Sequence, residues 1–197
     1  MTTNNQAYQS QRHLVLGGAR SGKSSFAEQQ ALCALAACSN GRLHYIATAT
    51  YLDAEMRERI AHHKDRRDTQ WIEHEVPVEL AAKLQSFKKD DVVLIDCLTL
   101  WLNNIIFELG HDATNHQVEA VIESLVASVE QSSAQIIMVS NEVGLGVVPL
   151  GKVSRLFVDN AGRMNQALAR VVEHVTLIAA GLPLHLKPSN HSINAQG

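Results

Sequence analysis

Short apolar runs alternate with longer stretches of helical patterning along most of this chain. Runs rich in Val, Ile and Leu at 13–17, 43–48, 71–75, 91–96, 134–140 and 174–179, with a shorter one at 184–186, have the length and composition of strands. Helical spacing covers 23–38, 54–67, 78–87, 98–109, 115–131 and 153–172. The clearest helix carries Val118, Val121, Ile122, Leu125, Val126 and Val129 on one stripe. A second carries Val153, Leu156, Phe157, Met164, Leu168 and Val171. Both stripes read as core faces and need no functional account. Alternation of strand and helix predicts an α/β fold, a mostly parallel central sheet with helices on both faces. Ligands of such sheets bind beyond the carboxyl ends of the strands.

The polar stretches 1–12 and 188–197 fall outside the alternation, leaving one domain over 13–187. A chain of 197 residues, 46% hydrophobic, is enough for one sizeable core. Its formal net charge of −3 argues against broad electrostatic binding of nucleic acid. Cys33, Cys38 and Cys97 form no C-x-x-C pair, so neither a disulfide framework nor a zinc site is expected, and a cytoplasmic setting fits. The polar first residues do not resemble a secretory signal. No apolar run approaches the roughly 18 residues of a membrane span.

The segment Gly17-Gly18-Ala19-Arg20-Ser21-Gly22-Lys23-Ser24 has the form G-x-x-x-x-G-K-[ST]. Gly17 and Gly22 let the backbone close around a phosphate, with successive N–H groups turned toward it. Lys23 brings an ammonium to the β- and γ-phosphates, and the Ser24 hydroxyl can ligate Mg²⁺. The segment lies between a predicted strand and a predicted helix, the context this chemistry requires. The fold expected is therefore P-loop NTPase-like.

Val92-Val93-Leu94-Ile95-Asp96 is an apolar strand ending in a carboxylate. Asp96 suits a magnesium role beside a phosphate loop; a structural cap is the other reading. Asn141, Glu142 and the loop Gly144–Pro149 follow a further strand. They could shape an acceptor site or simply connect two elements, and the pattern does not separate these. His62 and His63 sit in Arg59-Ile60-Ala61-His62-His63-Lys64-Asp65-Arg66-Arg67. On a helix, Met56 and Ile60 define an apolar face with His63 near it. His62 points the opposite way, among Glu55, Arg59 and Arg66. A charged helix of this kind is ordinarily a solvated face. Its chemical reading is a neutral imidazole, nucleophilic near pH 7, with Lys64, Arg66 and Arg67 to neutralise phosphate. His13 and His44 carry only the structural reading.

Taken together, the stretches GGARSGKSSFAE, YIATA, MRERIAHHKDRR, LIDCLTLWLNN, SNEVGLGVVP and DNAGRMNQALA, in that order over 13 to about 187, resemble one family. It is the bifunctional adenosylcobinamide kinase / adenosylcobinamide-phosphate guanylyltransferase of cobalamin biosynthesis. The phosphate loop alone is generic; its combination with IAHHKDRR and NEVGLGVVP is specific.

That resemblance implies two reactions. ATP or GTP phosphorylates the aminopropanol hydroxyl of adenosylcobinamide. GTP then gives GMP to adenosylcobinamide phosphate, with loss of pyrophosphate, through a GMP-histidine that carries over to His62. The nucleotide contacts implied are Gly17 to Ser24, Ile46, Ala47 and Thr48, His63, Lys64, Asp65 and Arg66, Glu75 and Asp96, with Mg²⁺ on Ser24 and Asp96. A homotrimer is also implied, with Trp101 to Ile106 either between subunits or in an ordinary core helix. Two other readings compete. One is a simple phosphate-loop kinase with a different acceptor. The other is a nucleotide switch without catalysis, disfavoured because no [NT]-K-x-D guanine-reading tetrad is present.

Overall fold

The computed structural model describes residues 11–49, 70–147 and 149–187. Its elements run β1 (Arg12–Gly17), α1 (Lys23–Ala36), β2 (Leu43–Ala47), β3 (Trp71–Glu75), α2 (Leu80–Leu84), β4 (Val92–Asp96) and α3 (Leu98–Leu109). Then come α4 (Asn115–Gln131), β5 (Gln135–Asn141), α5 (Lys152–Val171), β6 (His174–Ala179) and β7 (Leu182–Lys187). The strands form one sheet in the order β3-β2-β4-β5-β1-β6-β7. All pairings are parallel except β6 with the edge strand β7. The α/β architecture predicted from the alternation is the one observed. The helix expected at 54–67, with His62, His63, Lys64, Asp65 and Arg66, lies outside the described residues.

The inner strands are apolar along most of their length because both of their faces are covered. Val15, Val92, Leu94, Ile137 and Val139 pack beneath Ala27 and Ala31 of α1. Leu14, Leu16, Val93, Ile95, Ile136 and Met138 face the opposite way, into a larger core with α3, α4 and α5. Val118, Ile122, Leu125 and Val129 of α4 are buried as their spacing predicts. Thr114 and Gln117 start that helix with a reciprocal capping box. The α5 stripe is shorter than its sequence pattern. Residues 151–155 lie outside the packed interface, so Val153 is exposed while Met164 and Leu168 are fully buried.

Trp101, Leu102, Ile105 and Ile106 are buried within this chain. Trp101 Nε1 donates to the Val78 carbonyl at 2.7 Å. Of the two readings of 101–106, core helix is the one these four side chains follow. The three cysteines are free thiols.

Candidate active site at the mouth of the sheet

The β-strand alternation places a defined row of residues at the carboxyl edge on the α1 face. Ala47 stands opposite both Asp96 and Glu75 in register. Asp96 stands opposite Val139, and Gly17 opposite Asn141. Asp96, Ala47 and Glu75 are therefore level with one another. Gly17 and Asn141 stand two residues, about 6.6 Å, farther along. Lys23 and Ser24 open α1 on this same face.

The phosphate loop is shaped by steric necessity at its two key glycines. A Cβ on Gly17 would lie 2.5 Å from Ser21 Oγ and 2.7 Å from the Ile178 carbonyl oxygen. Gly22, at φ 95°, adopts a left-handed conformation as the N-cap of α1. Arg20 is also left-handed, at φ 57°. The Ser21 N–H donates to the Gly18 carbonyl at 3.3 Å, and Lys23 Nζ donates to the same oxygen at 3.1 Å. No side chain caps α1, and its first turn carries no acidic residue. Its leading N–H groups and positive dipole end are thus suited to an anion.

A support for this loop had no motif in the sequence. The β6–β7 turn brings the Gly181 N–H to the Ser21 carbonyl at 2.9 Å. Ala180 and Gly181 both have positive φ, the requirement of a two-residue hairpin turn that matches strand twist. The hairpin therefore braces the phosphate loop from beneath.

Thr48 and Ile46 are placed differently from Ala47. The Thr48 hydroxyl donates to the Cys97 carbonyl at 2.7 Å and accepts from the Cys97 N–H at 2.9 Å. Asn104 Nδ2 donates to the carbonyls of Thr48 at 2.8 Å and Pro77 at 3.0 Å. The Ile46 side chain is fully buried in the core away from α1. The side chains of both residues are occupied with the fold, and so is the Thr48 backbone, whose carbonyl accepts from Asn104 and whose N–H donates to the Asp96 carbonyl at 3.4 Å. Burial, followed by the charge of Asp96, pushes the Cys97 thiol up. It is a protonated, inert group at neutral pH.

Among the described residues no group of three or more His, Cys, Asp or Glu is placed to hold a metal ion. Ser24 and Asp96 nonetheless have the right chemistry for Mg²⁺, which takes one or two protein oxygens and completes its shell with substrate phosphates and water. Among the described residues the Asp96 carboxylate has neither an ion pair nor a hydrogen bond competing for it.

His13 and His44, read as structural, are packed as such. His13 Nε2 lies 2.8 Å from Thr176 Oγ1, and His44 Nδ1 lies 3.0 Å from His74 Nε2.

The family model for cobinamide kinase / cobinamide phosphate guanyltransferase matches residues 13–186. The bifunctional adenosylcobalamin biosynthesis protein CobP of Pseudomonas aeruginosa is 48% identical over 177 residues, 89% of this chain and 97% of its own length. The corresponding CobU proteins of Salmonella typhimurium and Escherichia coli are each 38% identical over 88% of this chain and 98% of theirs. Among solved structures, the KaiC-like protein PH0186 of Pyrococcus horikoshii aligns over 86% of this chain and 71% of that one. Its TM-score is 0.47 at 14% identity. A phosphate loop at the mouth of a parallel sheet and matches spanning nearly the whole chain agree: this protein belongs to the cobinamide kinase / cobinamide phosphate guanyltransferase family, bifunctional enzymes of adenosylcobalamin biosynthesis.

Proposed function

We propose that both reactions share the phosphate site built by Gly17 to Ser24 and that guanylyl transfer runs through a covalent GMP on His62. The observation that carries the shared site is the row of Gly17, Asp96 and Ala47 at the sheet mouth, beside the start of α1. In the kinase reaction the acceptor hydroxyl oxygen attacks the γ-phosphorus of ATP or GTP. The bond to the β-phosphate oxygen breaks, ADP or GDP leaves, and the hydroxyl proton passes to water. Lys23 and the leading N–H groups of α1 hold the phosphate oxygens as charge shifts onto the leaving group. Ser24 and Asp96 hold Mg²⁺, which supplies neutralisation of phosphate charge.

In the second reaction an imidazole nitrogen of His62 attacks the α-phosphorus of GTP, and pyrophosphate leaves. A phosphate oxygen of adenosylcobinamide phosphate then attacks that phosphorus, breaking the P–N bond and freeing His62. His63, Lys64, Asp65 and Arg66 border the transferred group. Ala47, with the backbone of Ile46 and Thr48, forms the wall beyond Asp96. Glu75, opposite Ala47 in register, reads the guanine or ribose.

The protein works as a homotrimer in the cytoplasm under this reading. Support comes from the edge strand, where Leu182 and Leu184 are exposed, and from the three free thiols. No helix among the described residues is long and apolar enough to cross a membrane.

The test is incubation with Mg²⁺ and GTP labelled at the α-phosphate, followed by denaturation. Acid-labile label on the protein, absent from His62→Ala while kinase turnover persists, is the expected result. Normal guanylyl transfer by His62→Ala would remove His62 from the mechanism.

A further inference from the structure

Residues 142–145 and 162–169, parts of two sequence motifs that phosphate chemistry leaves unused, meet on the sheet face opposite α1. Between the β5–α5 loop, α5 and β7 lies a cavity of about 520 Å³, lined among others by Leu16, Glu142, Leu145, Asn165, Gln166 and Leu186. Its walls are mostly apolar, and of the polar side chains on them, Glu142, Asn165, Gln166 and Lys187, two have a defined geometry toward a ligand.

The first is Asn165, only 6% exposed. Its Oδ1 accepts from Ser140 Oγ at 2.8 Å, which fixes the amide plane. Its Nδ2 is buried with no acceptor. A buried donor of this kind calls for a partner. The second is Glu142 at the rim, whose Oε1 accepts from the Gly144 N–H at 2.8 Å. The Glu142 N–H donates to the Gly17 carbonyl at 3.1 Å. The rim of the cavity thus touches the first residue of the phosphate loop.

We propose that this cavity seats a carboxamide-bearing edge of the corrinoid acceptor, resting on the cobinamide kinase assignment. A primary carboxamide supplies N–H donors for the Glu142 carboxylate, and its carbonyl oxygen satisfies Asn165 Nδ2 once a small shift of the lining opens that atom, which is closed to solvent in this structure. The methyl-rich rim of a corrin ring suits Leu16, Leu145 and Leu186. A second phosphate group does not suit the site. Glu142 would repel it, and the nearby Lys187 ammonium is committed to the Ala169 and Arg170 carbonyls. The ring is larger than the cavity, so one edge is held and the hydroxyl-bearing arm crosses Glu142 toward the phosphate loop.

The test compares the full-length protein with Asn165→Asp and Leu145→Asp. The first keeps the size of the side chain and the acceptor for Ser140 but removes the donor. The second alters a side chain that is 85% exposed, where folding is not at stake. Dicyanocobinamide binding is measured by equilibrium dialysis without nucleotide, alongside cobinamide and nucleotide KM values in the kinase assay. The expected result is a cobinamide Kd and KM raised by about tenfold in both variants, with kcat and nucleotide KM unchanged. Unchanged cobinamide binding in both variants would overturn the proposal while leaving the kinase assignment intact. So would a changed oligomeric state of Leu145→Asp on gel filtration with cobinamide Kd unaltered, which would make this face a contact between copies. A wild-type protein that neither binds nor phosphorylates cobinamide would overturn the kinase assignment and the cavity proposal together.

Discussion

Asn141 Nδ2 donates to Thr99 Oγ1 at 2.8 Å, tying the end of β5 to the start of α3. Thr99 Oγ1 in turn lies 3.1 Å from Cys97 Sγ. This clamp holds the amide so that Asn141 Oδ1 is buried without a partner, on the strand between the phosphate loop and Asp96. A neutral oxygen there is compatible with a bound triphosphate, whereas an ionised one is not. Two unit charges about 5 Å apart repel by about 3 kcal/mol at an effective dielectric near 20. Asn141→Asp is therefore expected to weaken nucleotide binding at least about tenfold at low salt, with partial recovery as salt rises. Titration with a fluorescent GTP analogue measures this, and unchanged affinity would place Asn141 away from the phosphates.

Lys23 folds over its own loop onto the Gly18 carbonyl, a bond exposed to solvent and of little value to stability. Its contribution belongs to the phosphates. Lys23→Ala should lower both phosphoryl and guanylyl transfer by about 10²–10³-fold, with a stability change within about 0.5 kcal/mol. Lys23→Arg should not restore the rate, because a planar fork does not replace a compact ammonium. Parallel steady-state assays of the two reactions and thermal melts decide it. If guanylyl transfer survives Lys23→Ala, the two reactions do not share one phosphate site.

The parts of this site that were legible in the sequence are those whose chemistry is local. Gly17 to Ser24 are contiguous, and an apolar run ending at Asp96 announces itself within five residues. Strand and helix positions were legible for the same reason, since burial on one or two faces imprints a period on nearby residues. What could not be seen depends on distant segments meeting. Gly181 supports Ser21 across 160 positions, and nothing around Gly181 beyond a turn signal points there. Asn165 follows the stripe residue Met164 with no signal of its own, and its unpartnered Nδ2 is known only from the fold, in which Ser140 takes the other end of the amide. Thr48 entered only as a contact that the family resemblance implies, and its engagement with Cys97 and the one from Asn104 required the fold.

The histidines away from the mouth set a pH dependence of folding. Burial, helped by the charges of His174 and His185, lowers the His13 pKa to about 4. Burial also lowers those of His44 and His74. For His44, Asp91 opposes the shift without reversing it, its carboxylate already taken by Arg42 and the Lys88 N–H. A folded pKa below the unfolded value of about 6.5 means that the unfolded chain binds the proton first. The stability contribution is complete above about pH 6.5 and declines as pH falls toward 4. For His13 the loss across that window is on the order of 2 kcal/mol after allowing for its partial exposure. Urea unfolding at pH 7.5 and pH 5 should show the decline, and His13→Gln should flatten it. A stability that rises toward pH 5 would contradict the neutral, buried state of these rings.

Gly17 offers the sharpest steric test of the phosphate loop. An added Cβ would meet Ser21 Oγ at 2.5 Å and the Ile178 carbonyl at 2.7 Å. Ser21 could rotate, but the Ile178 oxygen belongs to β6, which pairs with β1 along its length and cannot retreat alone. Relief must come from displacing the loop. Gly17→Ala should therefore cost about 1–3 kcal/mol of stability and weaken nucleotide binding far more than that strain alone suggests, since the N–H groups no longer converge. Gly18→Ala is the control, because a Cβ there meets nothing within 4 Å. Gly18→Ala should fold as the wild type does, and its nucleotide Kd should stay within about threefold. Equal losses in the two variants would mean that backbone freedom across the loop, rather than contact at Gly17, governs binding.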